Sequence, residues 1–328
     1  MLPVAPRLMP VNTLNNLPMA SPASPSVRPV RRHQWFSFRR VLTLAGGTFT
    51  QLVRMKVFYF MALFSIAVIA SSFAFADFET DGQLKLLKDV SLASMSLFSM
   101  LFAIAGTALL IPRDIEDRTL YTILCKPVPR LEYLLGKLLG MIFLIFISLI
   151  LMDVLFSIVL YLKENAILAE QISILKQSRF PNREAMEANI AAVEESMRGQ
   201  GLNWSLQSGV FAILLKATVL TGVTLFVSTF ASSTIFTIMT SLAIMVIGQA
   251  QSIAREVFLG PDPSPGPRFI AGTISLLFPD FKAFDIVDSV ISGSTVPALI
   301  LGKMAGLTLV YLIIHLMAAY VIFSDKEL

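Results

Sequence analysis

Six runs of apolar residues, each close to the length of a bilayer crossing, dominate this chain: about 57–76, 91–112, 138–162, 209–231, 235–252 and 301–323. A hydrocarbon core about 30 Å thick is crossed by about 20 helical residues at about 1.5 Å each. With 55% hydrophobic and 15% charged residues in 328, and a mean hydropathy of +0.74, the chain is too apolar for a soluble domain of its size. The expected fold is therefore an all-α integral membrane protein with six transmembrane helices.

Lysine and arginine set the orientation. Arg28, Arg31, Arg32, Arg39, Arg40, Arg54 and Lys56 precede the first run, and Arg113, Arg118, Lys126, Arg130 and Lys137 lie between the second and third. Both segments are expected in the cytoplasm, so an even number of crossings returns the C-terminus there. Loop 77–90 carries only Lys85 and Lys88, and loops 163–208 and 253–300 offset their basic residues with acidic ones. These three are expected outside. The positive charge of +4 then reads as a topology signal, and nucleic acid is not an expected partner.

The segments around the spans differ in kind. Residues 1–30 are rich in Pro, Ser and Asn and read as a disordered cytoplasmic tail. Within 31–56, Trp35, Phe38, Leu42, Ala45, Phe49 and Leu52 recur at helical spacing beside Arg39, Arg40 and Arg54. This suits an amphipathic helix in the headgroup layer, with a plain extension of the first span as the alternative. Ser232, Ser233 and Thr234 leave so short a turn that the fourth and fifth spans must be antiparallel neighbours. The loop 163–208 reads as a hairpin of two helices broken at Phe180-Pro181-Asn182. After the proline-rich stretch 260–267, residues 269–292 are apolar but carry Asp280, Lys282, Asp285 and Asp288, which predicts short helices dipping into the outer membrane surface.

No catalytic, cofactor or metal site is expected. The chain has one cysteine, Cys125, and two histidines, His33 and His315, too few for a metal cluster or a nucleophile with a histidine base. The pairs Gly136-Lys137 and Gly302-Lys303 are followed by Leu138 and Met304, so neither completes a phosphate-binding loop. Both lysines are expected to reach toward headgroups. His315, within the sixth span, reads as a polar residue satisfied by a neighbouring helix. Asp153 and Lys216 lie within spans at similar counted depths, which predicts either a structural ion pair or two groups lining a path.

The segment between the second and third spans is the most informative. Ile115, Leu120, Ile123 and Leu124 share a short stretch with Asp114, Glu116, Asp117 and Arg118, which predicts an amphipathic helix at the membrane face, stopped by Lys126-Pro127-Val128-Pro129-Arg130. This loop resembles that of the permease subunits of type-2 ABC exporters: an acidic residue, Ile, Glu, then Thr-Leu, a Lys-Pro…Arg turn, Tyr-Leu, and Gly-Lys at the next span. The matching residues are Asp114, Ile115, Glu116, Thr119, Leu120, Lys126, Pro127, Arg130, Tyr133, Leu134, Gly136 and Lys137. The span count, the amphipathic helix before the first span, the adjacent fourth and fifth spans and Leu277-Phe278-Pro279-Asp280 agree with it.

The resemblance implies that the chain is a non-catalytic subunit of the bacterial inner membrane, powered by a separate ABC ATPase and paired with a second, identical or different, permease chain. It also implies a cytoplasmic coupling helix contacting that ATPase through Asp114, Ile115, Glu116, Arg118, Thr119, Leu120, Lys126 and Arg130. It leaves the substrate open. An ATP-independent transporter would be expected to carry more intramembrane charges and midplane helix breaks, and a structural or regulatory membrane protein is the remaining alternative.

Overall fold

The computed structural model describes residues 36–75, 82–116, 128–177, 183–201, 203–231, 233–259, 266, 269–270 and 278–325. The expected tail 1–30, Trp35, the Phe180-Pro181-Asn182 break, the proline-rich stretch up to Pro265, Leu277 and the last three residues lie outside these. Among the described residues the ordered elements are helices: α1 Phe38–Val53, α2 Lys56–Phe75, α3 Gln83–Glu116, α4 Arg130–Gln177, α5 Arg183–Gln200, α6 Trp204–Phe230, α7 Thr234–Leu259, a 3-10 turn Lys282–Phe284, α8 Val287–Ile291 and α9 Ala298–Asp325. Five of them, α3, α4, α6, α7 and α9, are long and apolar enough to cross a membrane. The first expected span coincides with α2, a 20-residue helix packed on α3.

Helix α6 is the hub. It packs against α3, α9, α4 and α7, and it is the most enclosed of the five, whereas α7 and α9 expose most of their length. Its sequence suits that place. Gly209, Ala212, Ala217, Gly222 and several threonines give a slim helix that neighbours can approach closely. Two of its buried hydroxyls close on their own helix, Thr221 Oγ1 donating to the Ala217 carbonyl at 2.9 Å and Ser228 Oγ to that of Leu225 at 2.7 Å.

Helix α1 lies flush along the first turns of α4, and glycines permit it. A Cβ at Gly140 would sit 2.7 Å from the Ala45 carbonyl oxygen and 2.7 Å from Thr48 Cβ, and one at Gly136 would strike Leu44 Cβ. Gly136 and Gly140 are four apart, the spacing that lets two helix backbones meet in a membrane. The stripe read from the sequence is accordingly divided. Ala45 and Leu52 are buried with Val41 and Thr48, while Phe38 and Leu42 face outward.

Several boundaries differ from those expected. Helix α3 begins at Gln83, so Lys85 and Lys88 stand on a helix instead of in a loop, and Lys88 is buried. It also runs through Pro112 to Glu116, so Asp114, Ile115 and Glu116 end the second span helix and do not start a separate one. Helix α4 is continuous for 48 residues, about 72 Å. Its second part, from Lys163, is the first arm of the hairpin whose second arm is α5. No Gly or Pro interrupts 163–177, so the helix persists where the apolar run stops.

At the end of the bundle where α7 reaches Leu259, residues 278–291 fold back between α6, α7 and α9. Asp280 Oδ1 accepts the backbone N–H groups of Lys282 and Ala283 at 3.1 and 3.3 Å, capping the 3-10 turn. Its own N–H donates to the Tyr311 hydroxyl at 3.3 Å, and the Phe281 N–H donates to the Gly248 carbonyl at 3.2 Å. Phe281 and Phe284 are buried. Gly248 is five residues, about 8 Å, inside the end of the apolar span of α7 at Ile253, so the segment packs into that end of the bundle.

Candidate functional site

The densest buried polar cluster forms where α3 stops and α4 starts. Asp114, in the last turn of α3, is 4% exposed. Its Oδ2 accepts the Tyr133 hydroxyl at 2.6 Å and lies 2.6 Å from Lys137 Nζ, both on α4. Its Oδ1 accepts Gln51 Nε2 of α1 at 3.3 Å, and Lys137 Nζ returns to Gln51 Oε1 at 3.1 Å. One carboxylate thus gathers partners from two other helices. Taking an aspartate and a lysine out of water costs several kcal/mol each, and only close pairing with further hydrogen bonds offsets it. That closed set explains why α3 continues past Pro112, which removes one helical hydrogen bond.

Two further locks flank this knot. Arg40 of α1 grips Glu132 of α4 with both arms, Nε at 2.6 Å from Oε2 and Nη2 at 2.7 Å from Oε1, while the Ser37 N–H donates to Oε1 at 2.8 Å. Glu132 precedes the apolar run of α4. The Arg40 hydrogen bond, assisted by that from Ser37 and by Arg40's charge, holds its carboxyl below the usual carboxylate range, and the same bond raises the Arg40 guanidinium above its own. On the other flank, Arg130 donates to the Phe323 carbonyl at 2.6 Å and to that of Ser324, and its guanidinium lies 5.8 Å over the Phe323 ring. Tyr133 stacks on the same ring at 5.8 Å. A cation here complements the unpaired carbonyls and negative dipole end of α9.

The first turns of α4 therefore clasp the ends of α1, α3 and α9 together. A family model described as ABC-2 family transporter protein matches residues 75–328, which includes every part of this clasp except α1. The chain belongs to the ABC-2 transporter family. It is a permease component of a type-2 ABC transporter, and the family implies partnership with an ABC ATPase. No curated protein matches the chain.

In this ABC-2 permease the residues read as coupling to the ATPase fall in different places. Asp114 points into the bundle, so it is not an exposed docking carboxylate. Arg130 is engaged with α9. Ile115 and Glu116 continue α3, while Arg118, Thr119, Leu120 and Lys126, together with Cys125, lie outside the described residues. Lys137 does not reach for headgroups; it is buried on Asp114. Sequence reasoning missed the Arg40–Glu132 and Gln51 contacts, whose partners are 92 and 63 residues apart in the case of Arg40–Glu132 and Gln51–Asp114. The Gly136/Gly140 spacing was the one local signal that a helix must lie against this stretch.

Asp153 and Lys216 are not brought together. Asp153 Oδ1 accepts Gln207 Nε2 at 3.3 Å, and Gln207 is nine residues, about 13 Å, from Lys216 along α6. Lys216, buried, is within electrostatic reach of Asp285 and Lys282 of the inserted segment. His315 also departs from expectation: its Nδ1 meets the Tyr311 carbonyl at 2.7 Å, so it is satisfied within α9 itself. Among the described residues no group of side chains could hold a metal ion.

Proposed function

We propose that this permease exports a substrate across the bacterial inner membrane, driven by ATP hydrolysis in a separate ABC ATPase that docks at the α3–α4 end. In this reading α2 supplies the sixth crossing, both termini are cytoplasmic, and α1 lies in the cytoplasmic headgroup layer. Residues 113–127, with Glu116, Arg118, Thr119, Leu120 and Lys126, form the docking segment, and a second permease chain completes the path.

The observation that carries the proposal is the Asp114–Lys137–Tyr133–Gln51 knot. A segment joining two spans transmits force only where its ends are anchored, and here both ends, Asp114 at its start and Arg130 to Lys137 after it, are tied into a set of four helices. Closure of the ATPase then moves α1, α3, α4 and α9 as a unit instead of flexing a loose connector.

Co-expression with candidate ABC ATPases from the same genome tests it. Glu116→Lys combined with Arg118→Glu is expected to abolish co-purification, whereas Asp114→Asn is expected to keep the complex but lose permease stimulation of ATP hydrolysis. Undiminished stimulation in both variants would refute the assignment.

A further inference from the structure

Helices α1 and α4, with Leu214 of α6, enclose an apolar groove of about 610 Å³. Phe38, Leu42 and Phe49 of α1 and Phe143 and Phe146 of α4 line it together with the exposed Gly46. Phe38, Leu42, Phe143 and Phe146 are between 42% and 62% exposed, so the groove opens to the surroundings of the bundle. Arg39, also exposed, stands three residues before Leu42 and seven before Gly46, hence on the same side of α1 at the mouth of the groove.

Gly46 supplies the second observation. Two adjacent glycines, Gly46 and Gly47, sit in the middle of α1, where each weakens a helix by about 1 kcal/mol relative to alanine. Unlike Gly136 and Gly140, neither is required by a neighbour: a Cβ at Gly46 or at Gly47 meets nothing within 4 Å. Only Gly46 lines the groove. What its missing side chain preserves is therefore the groove itself.

We infer that this groove is a binding site for one acyl chain of an anionic phospholipid, whose phosphate is held by Arg39. The inference rests on α1 lying in the headgroup layer and is independent of transport. An apolar channel beginning beside an arginine matches the two ends of such a lipid: methylenes against the phenyl rings and a phosphate at the guanidinium. A basic residue at the membrane surface favours anionic over neutral lipid about fivefold.

The test uses the full chain in vesicles of equal parts phosphatidylcholine and phosphatidylglycerol, released into detergent for native mass spectrometry. The unsubstituted chain and Gly47→Leu should retain one phosphatidylglycerol; Gly46→Leu, whose side chain fills the groove while improving helix propensity, should retain none. Arg39→Gln should reduce the preference over phosphatidylcholine about fivefold. Equal retention by the Gly46 and Gly47 variants, or retention of the two lipids in their mixing ratio, would overturn the inference. As a check that needs no substitution, phosphatidylglycerol with a photoactivatable acyl chain should label the peptide holding Phe143 and Phe146, and labelling confined to other peptides would equally overturn it.

Discussion

Removing the charge of Asp114 is the sharpest perturbation the clasp allows. In Asp114→Asn the buried Lys137 ammonium loses its counter-charge and keeps neutral acceptors such as Gln51 Oε1 at 3.1 Å, and the Tyr133 hydroxyl loses an ionic acceptor. Both side chains of the pair are at most 7% exposed, so solvent screens little of the loss. Breaking one partner of such a pair costs about 3–5 kcal/mol, while replacing both by apolar residues is close to neutral. Asp114→Asn should therefore lower the melting temperature in detergent, followed by circular dichroism, by about 6–20 °C, at about 2–4 °C per kcal/mol. Asp114→Leu with Lys137→Met should recover most of it, a coupling of about 3 kcal/mol. Single-variant melts within about 2 °C of the parent, or strictly additive losses in the double variant, would refute the account of the knot as a closed, mutually dependent set.

Acid should loosen the neighbouring lock. Because the folded-state pKa of Glu132 is depressed, its contribution is complete above the unfolded carboxylate value of about 4.3 and is lost as pH falls through the folded value; melts should be flat from neutral pH to about 5 and fall below about 4. Glu132→Gln should remove the part of that acid slope due to this site. At the opposite end, Gly248→Ala should push a methyl into Phe281 and the Pro279 carbonyl, 2.7 Å from the latter, destabilising by about 1–3 kcal/mol and suppressing transport with helix content unchanged. Full transport in that variant would show that the insertion of 278–291 is dispensable.

The apolar runs located the five helices long and apolar enough to cross a membrane because burial in hydrocarbon leaves a local mark on composition. They did not locate helix ends. The 163–177 arm was expected as a helix of its own because its charges announce water after the apolar run, yet water does not end a helix that lacks Gly and Pro, and the arm continues α4. Asp153 and Lys216 failed as a pair for a different reason: counting residues from the ends of apolar runs misjudged where α4 and α6 begin relative to each other. Gln207, one turn into α6, is what stands opposite Asp153. The clasp was half legible. Asp114, Tyr133 and Lys137 stood out as a motif, but their mutual contact depends on how two helix ends fold back, and Arg40, Gln51 and Glu132 carry no local pattern that marks them as partners.

The unbroken length of α4 has a consequence for gearing. A rod of about 72 Å, gripped at its first turns and crossing the bundle without a proline, works as a pointer: tilting it by about 5° at the clasp carries its far tip sideways by roughly 6 Å. The hairpin that α4 makes with α5 is mounted on that tip. Whatever the hairpin touches outside the bundle is displaced by motions that begin at the other face, with no relay of loosely packed side chains between them.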